Sequence, residues 1–102
     1  MQFLIIETFR NGHPAPVYRR FRDQGRLAPD GLLNLGSWIT ADLSRCFHVM
    51  ECDDPALLGQ WIDNWKDLVD FEVMPVLSSA EVQARLAGTA IPSPGNDQRA
   101  IA

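Results

Sequence analysis

Several things are scarce in this chain, and each shortage closes a class of function. Basic residues are outnumbered, nine lysines and arginines against 13 aspartates and glutamates, for a formal net charge of −4. A nucleic-acid partner needs a basic face for the phosphates, so that class falls away. No run approaches the roughly 20 apolar residues of a membrane span. The apolar start lacks a basic leader and is interrupted by Glu7 and Arg10, too early for a signal peptide. There are only two cysteines, Cys46 and Cys52. On one extended strand they would stand about 20 Å apart, beyond disulfide reach, and they read as reduced thiols of a cytoplasmic protein. Phosphate-loop, nucleophile-elbow and paired-cysteine metal signatures are all missing. So are internal repeats.

What is present is one domain's worth of globular protein, 102 residues with 46% hydrophobic content. Phe3-Leu4-Ile5-Ile6-Glu7-Thr8-Phe9 is a nearly continuous apolar run closed by Arg10-Asn11-Gly12. It reads as a strand buried on both faces. After His13-Pro14-Ala15-Pro16, the residues Val17, Tyr18 and Phe21 recur at helical spacing up to Gly25, a plausible stop. Arg10, Arg19, Arg20, Arg22 and Arg26 crowd this quarter, as a solvated helix face or as a patch for an anionic ligand. A strand from about Leu32 to Ile39 contains Gly36 and belongs at a sheet edge. A hairpin at 40–44 leads to a third strand from Arg45 to about Cys52. Alternation on that strand puts Cys46, His48, Met50 and Cys52 on one face.

Asp53-Asp54-Pro55 marks a helix start. Leu58, Trp61, Ile62 and Trp65 then form an apolar stripe facing the core. The fourth strand runs over 68–77, and Pro75 leaves it an open edge. Ser78 to Glu81 is a capping box that opens a short C-terminal helix at 79–87. Residues 1–88 form the domain. The polar, Pro-rich stretch 89–102 reads as a flexible tail.

The order β-α-β-β-α-β predicts a ferredoxin-like α+β sandwich with an antiparallel-type four-stranded sheet, in which the first and third strands are central and parallel to each other and the second and fourth lie outside. Both helices land on one face. The other face is apolar and bare, and at about 25 cal/mol per Å² such exposure costs many kcal/mol. A second copy packed sheet to sheet is the simplest cover, so a homodimer is expected.

Segments across the chain carry a family resemblance: Ile6-Glu7-Thr8-Phe9, Gly25-Arg26-Leu27-Ala28-Pro29-Asp30-Gly31-Leu32, Ser37-Trp38, Arg45-Cys46-Phe47, Met50-Glu51, Trp61 to Trp65, and Phe71-Glu72-Val73-Met74-Pro75-Val76. Over about residues 1–88 the chain resembles a small bacterial family catalogued as a domain of unknown function, within the dimeric α/β-barrel superfamily. The resemblance implies two ferredoxin-like protomers packed through their sheets. That superfamily includes cofactor-free monooxygenases, muconolactone-type isomerases and haem-degrading enzymes. No catalytic residue carries over. His48 departs from the pattern, which more usually has glutamine there.

Chemistry has few places to sit. With parallel central strands, Glu7, Glu51 and Glu72 would converge on one rim as clustered carboxylates; otherwise they lie on different faces or pair with arginines. The stripe Cys46, His48, Met50, Cys52 invites a metal, but an extended strand cannot bring four alternate residues to one centre. A small apolar core face enclosing His48 is the better reading, so no metal or other cofactor is expected. Trp61 and Trp65 read as packing, Trp38 as a pocket wall, and Tyr18 as core with its hydroxyl at a mouth. The pocket candidates are Glu7, Tyr18, Trp38, His48, Glu51 and Glu72, none committed to catalysis. Two functions stay open. One is a protein of no established activity that binds a small molecule between helices and sheet. The other is a cofactor-independent enzyme, monooxygenase- or isomerase-like, acting on a small organic substrate by carboxylate and imidazole acid–base chemistry. A cleft where a carboxylate meets an imidazole favours the enzyme; a cleft filled by Tyr18, Phe21, Trp61 and Trp65 favours the binder.

Overall fold

The computed structural model describes residues 1–88; the expected tail lies outside them. The chain folds as β1 (Gln2–Phe9), a 3-10 turn (Arg10–Gly12), α1 (Ala15–Gln24), β2 (Leu33–Ile39), β3 (Arg45–Glu51), α2 (Ala56–Asp63), β4 (Val69–Val76) and α3 (Ser79–Leu86). The strands form one sheet in the order β2-β3-β1-β4, and every neighbouring pair is antiparallel. The class is α+β. The expectation of parallel central strands is overturned. β1 pairs antiparallel with β3, because the hairpin at 40–44 reverses the chain after β2. Among the described residues no helix is long and apolar enough to cross a membrane.

The local signals in the chain act where expected. Gly25 closes α1 at φ +75°, and its N–H donates to the Phe21 carbonyl. His13 Nδ1 accepts the Ala15 N–H at 3.1 Å, which accounts for that imidazole as a local helix-start contact. Asp54 accepts the Ala56 N–H at 3.0 Å at the start of α2. Ser78 and Glu81 form the full capping box. Gly36 lies under the Trp38 ring, where any added Cβ would meet the indole at 2.5 Å. Only glycine lets that ring fold back over β2, at a register irregularity between Asn34 and Gly36.

The core lies on one face of the sheet. Phe3, Ile5 and Phe9 of β1, Cys46 and Met50 of β3, and Val69 of β4 pack with Leu58, Trp61 and Trp65. The burial of β1 alternates, so it is not enclosed on both faces by this chain. On the opposite face Leu4, Ile6, Phe47 and Val49 are only half-buried, and Trp38 and Leu33 are 62% and 57% exposed. The helical face is unevenly sealed. α2 buries Leu58 and Trp61, whereas α1 buries no residue, with Tyr18 half exposed and Phe21 43% exposed. α1 is therefore a loosely seated wall, and the space beneath it forms a cleft.

Candidate functional site

Three neighbouring strands deliver side chains to the floor of that cleft. Alternation turns Glu7 of β1 and Cys46 and His48 of β3 inward. The register sets Glu7 opposite Cys46 and Ser37 of β2 opposite His48. Glu7 and His48 are then diagonal neighbours, a spacing that long side chains bridge. Glu7 Oε2 lies 3.1 Å from His48 Nε2, with both side chains more than nine-tenths buried. On the other side of the ring, His48 Nδ1 is 2.6 Å from Ser37 Oγ and 3.2 Å from Asn34 Nδ2. Ser37 and Asn34 also bond to each other, at 3.1 and 3.2 Å. Cys46 Sγ approaches His48 Nε2 at 3.5 Å.

This network orients the imidazole. In its neutral form Nδ1 accepts from the Ser37 hydroxyl or the Asn34 amide, and Nε2–H donates to Glu7. In its charged form both nitrogens donate, and Ser37 accepts. Ser37, His48 and Glu7 thus form a continuous path for a proton from the rim of the sheet to a buried carboxylate. Trp61 closes the back of the site with an edge-to-face contact on His48, at 5.5 Å between ring centroids and 89° between planes. Its indole N–H is buried and has no hydrogen-bond partner among the described residues.

The cleft has a volume of about 120 Å³ and is lined by Glu7, Tyr18, Phe21, Arg26, Cys46 and His48, among others. A smaller recess of about 40 Å³ shares Glu7, Arg26 and His48 and reaches Trp61 and Trp65. Burial, together with the Glu7 carboxylate, pushes the Cys46 thiol up to about 11, against an opposing pull from Arg26. Burial first, then Cys46 and Glu7, raises the Tyr18 phenol, which stays protonated and can donate. Arg26 is half-buried at the cleft wall, its guanidinium 5.2 Å from the Phe21 ring centroid. It makes no ion pair with a carboxylate among the described residues. Its backbone is held by Trp65, whose indole N–H donates to the Arg26 carbonyl at 2.8 Å. Most of the arginine patch is otherwise engaged: Arg20 clamps Asp67 through two bonds of 2.8 and 2.7 Å, while Arg22 pairs with Asp23 and Arg10 with Asp70.

The expected three-glutamate constellation does not form. Glu51 stands opposite Gln2, at the other end of β1 from Glu7. It lines a separate open groove of about 440 Å³ with Met1, Gln2, Glu81 and Arg85. That groove is larger, but it has no imidazole or thiol, so the chemistry stays with the smaller cleft. Glu72 stands opposite Ile6 and so points to the sheet's other face. Trp38 shares that outer face and lines neither recess of the cleft. Of the six sequence candidates, Glu7, Tyr18 and His48 meet at the cleft. Tyr18 does so as a half-exposed wall rather than a core residue. Trp61 and Trp65 are packing residues, as the helical stripe implied. Ser37 and Asn34 are not among the sequence candidates, and Arg26 enters there only as one of five arginines of a possible anion patch. The signal for Ser37 was available in the hairpin: counting back across the turn from His48 lands on it.

Fold and site together define an α+β protein with one antiparallel sheet and a buried carboxylate–imidazole–thiol cluster beneath a lightly packed helix. The chain belongs to the family described as Domain of unknown function (DUF3303), whose match spans residues 1–90. That description assigns no activity, and no curated protein matches the chain.

Proposed function

We propose that this protein binds a small anionic organic molecule in the cleft between α1 and the sheet, and that the Glu7–His48 pair exchanges a proton with it. The observation that carries this reading is the buried 3.1 Å contact between carboxylate and imidazole at the floor of a cleft. An imidazole held by a buried carboxylate at a cleft floor is placed within reach of a bound molecule's proton, as general acid–base chemistry requires. Arg26 has no carboxylate partner among the described residues and suits a ligand's anionic group. Tyr18 is a neutral donor at the mouth. A volume of about 120 Å³ is roughly four waters' share of liquid, so it fits a molecule of a few carbon atoms unless α1 swings out.

For the architecture we favour the ferredoxin-like protomer of a dimeric α/β barrel. The strand order β2-β3-β1-β4 agrees with that arrangement. The half-buried Leu4, Ile6, Phe47 and Val49, with exposed Trp38, would bury against a second copy. Two free, buried cysteines suit a reducing, cytoplasmic setting.

The direct test is an NMR titration with a panel of small carboxylic acids. The expected result is saturable shifts at Arg26, Tyr18 and His48, weakened about tenfold or more by Arg26→Ala. Shifts confined to the groove beside Glu51 and Arg85 would overturn the reading.

A further inference from the structure

The Glu7 carboxylate, the Cys46 thiol and the His48 imidazole put one metal-ligating atom each within 4.8 Å of one another, and all three residues are buried. We propose that these three side chains form a site for a soft divalent cation of the zinc type, with its fourth position facing the cleft. The inference rests on the same cleft as the proton-exchange reading, but not on the acid–base role: the cation takes the place of the proton that Glu7 and His48 share.

Geometry is the first support. Zinc–oxygen and zinc–nitrogen bonds of about 2.0–2.2 Å and a zinc–sulfur bond of about 2.3 Å give tetrahedral ligand separations of about 3.3–3.6 Å. Glu7 Oε2 to His48 Nε2 is 3.1 Å, and Cys46 Sγ to His48 Nε2 is 3.5 Å. Two edges of the tetrahedron are nearly in place before any ion enters. A strand supplying every ligand by itself could not do this. Here β3 offers two alternate residues, and the antiparallel register with β1 brings Glu7 opposite Cys46. Met50 and Cys52 lie farther along and take no part.

Donor chemistry is the second support. A thiolate and an imidazole select zinc-like ions over magnesium or calcium, which prefer oxygen alone. A dication with one thiolate and one carboxylate leaves the buried cluster electrically neutral, and a neutral cluster avoids the heavy cost of an unpaired buried charge. The third support is the shell behind the ligands. Metal-bound histidines hand their other ring N–H to an oriented acceptor. The Ser37 hydroxyl already stands 2.6 Å from His48 Nδ1. With Glu7 ionised, His48 neutral and Cys46 protonated, the empty cluster carries one negative charge. On binding, one proton leaves Cys46 Sγ for solvent and the ring proton moves from Nε2 to Nδ1, where Ser37 accepts it, so that dication, thiolate and carboxylate sum to zero. Three protein ligands with an open fourth position is the arrangement of zinc sites that take a water or substrate. All three ligands line the 120 Å³ cleft.

Cobalt(II) is the probe, because a cysteine thiolate bound to it gives a near-ultraviolet charge-transfer band. The purified, metal-stripped full chain should take up one equivalent of Co²⁺ with that band, and Zn²⁺ should displace it. Cys46→Ser should abolish the band, Cys52→Ser should leave it intact, and Ser37→Ala should weaken zinc about ten- to a hundredfold. Should Cys46→Ser fail to fold, stoichiometric zinc should still raise the Tm of the unaltered chain, and magnesium should not. No band and no zinc-induced Tm shift, or a band that survives Cys46→Ser, overturns the proposal. If zinc fails while the carboxylic acids still shift Arg26 and Tyr18, only the metal site falls. If zinc binds and no acid does, the proton-exchange reading falls instead.

Discussion

His48 Nε2 lies 3.1 Å from Glu7 Oε2, on strands that run in opposite directions, with the two side chains only 8% and 6% exposed. Because the pair is buried, its members depend on one another. Glu7→Ala leaves the imidazole N–H without its acceptor and should lower unfolding free energy by about 1–3 kcal/mol. Glu7→Gln keeps an acceptor oxygen in place and should cost clearly less. Urea unfolding of both variants checks the order; equal losses would mean that the contact contributes nothing specific.

Cys46 supplies a prediction in pH. Burial and the Glu7 charge hold its thiol protonated up to about 11, so the folded protein binds that proton more tightly than the unfolded chain does. The stabilisation is complete below the ordinary thiol value near 9 and is lost as pH rises toward 11. Stability should therefore fall across that window, and less steeply in Cys46→Ala. Alkylation of Cys46 at pH 8, followed by mass spectrometry, should be slow, and faster in Glu7→Gln once the repelling charge is gone.

The β2–β3 turn responds at the acid end. Asp42 accepts from Thr40 Oγ1, Ser44 N and Ser44 Oγ at 2.6–3.0 Å, and these bonds lower its carboxyl to about 2. Its contribution is present above the ordinary carboxylate range near 3.8 and disappears as pH falls through about 2. Asp42→Asn should flatten the acid limb of the Tm profile without moving the neutral plateau by more than a few degrees.

Two neighbouring residues separate the core from the outer face. Ile5 is fully buried against the helices, so Ile5→Asp places an unpaired charge in the core and should cost about 4 kcal/mol or more, enough to unfold a small domain. Leu4 points the other way and is half-buried. On the proposed sheet-to-sheet dimer, Leu4→Asp should leave a folded chain by circular dichroism and reduce the sedimenting species to single-chain mass. A single-chain mass for the unaltered protein at micromolar concentration would remove the dimer.

α1 should open before the central strands. It buries no residue and is tied down mainly by the Arg20–Asp67 clamp, by Arg20 to the Asn64 carbonyl at 2.9 Å, and by half-buried Val17. Its amides should exchange faster than those of β1 and β3, and Arg20→Ala should widen the gap. Equal protection across α1 and the central strands would mean that the wall is rigid.

Much of the architecture was legible along the chain. Alternation in 45–52 places Cys46, His48 and Met50 inward, and the helical stripe at 58–65 places Trp61 and Trp65 in the core, as the structure has them. The site was legible only in parts. Glu7 and His48 stood out as residues, but the expected partners of Glu7 were Glu51 and Glu72. Along one strand the sulfur–imidazole stripe cannot close a ligand sphere, and only the register with β1 sets Glu7 beside Cys46 and His48.

The chain by itself determined where strands and helices begin and end, and which side of each element is apolar. Those properties depend on residues within a turn or two of one another: a capping serine, a closing glycine, a period of two or of 3.6. Only the tertiary structure decided that β1 and β3 run antiparallel. That direction sends Glu51 to the far end of the sheet and brings Glu7, Cys46, His48 and Ser37 together. Pairing direction and register are agreements between distant segments, and a one-residue or one-direction change rearranges every cross-strand neighbour while leaving each strand's own pattern intact.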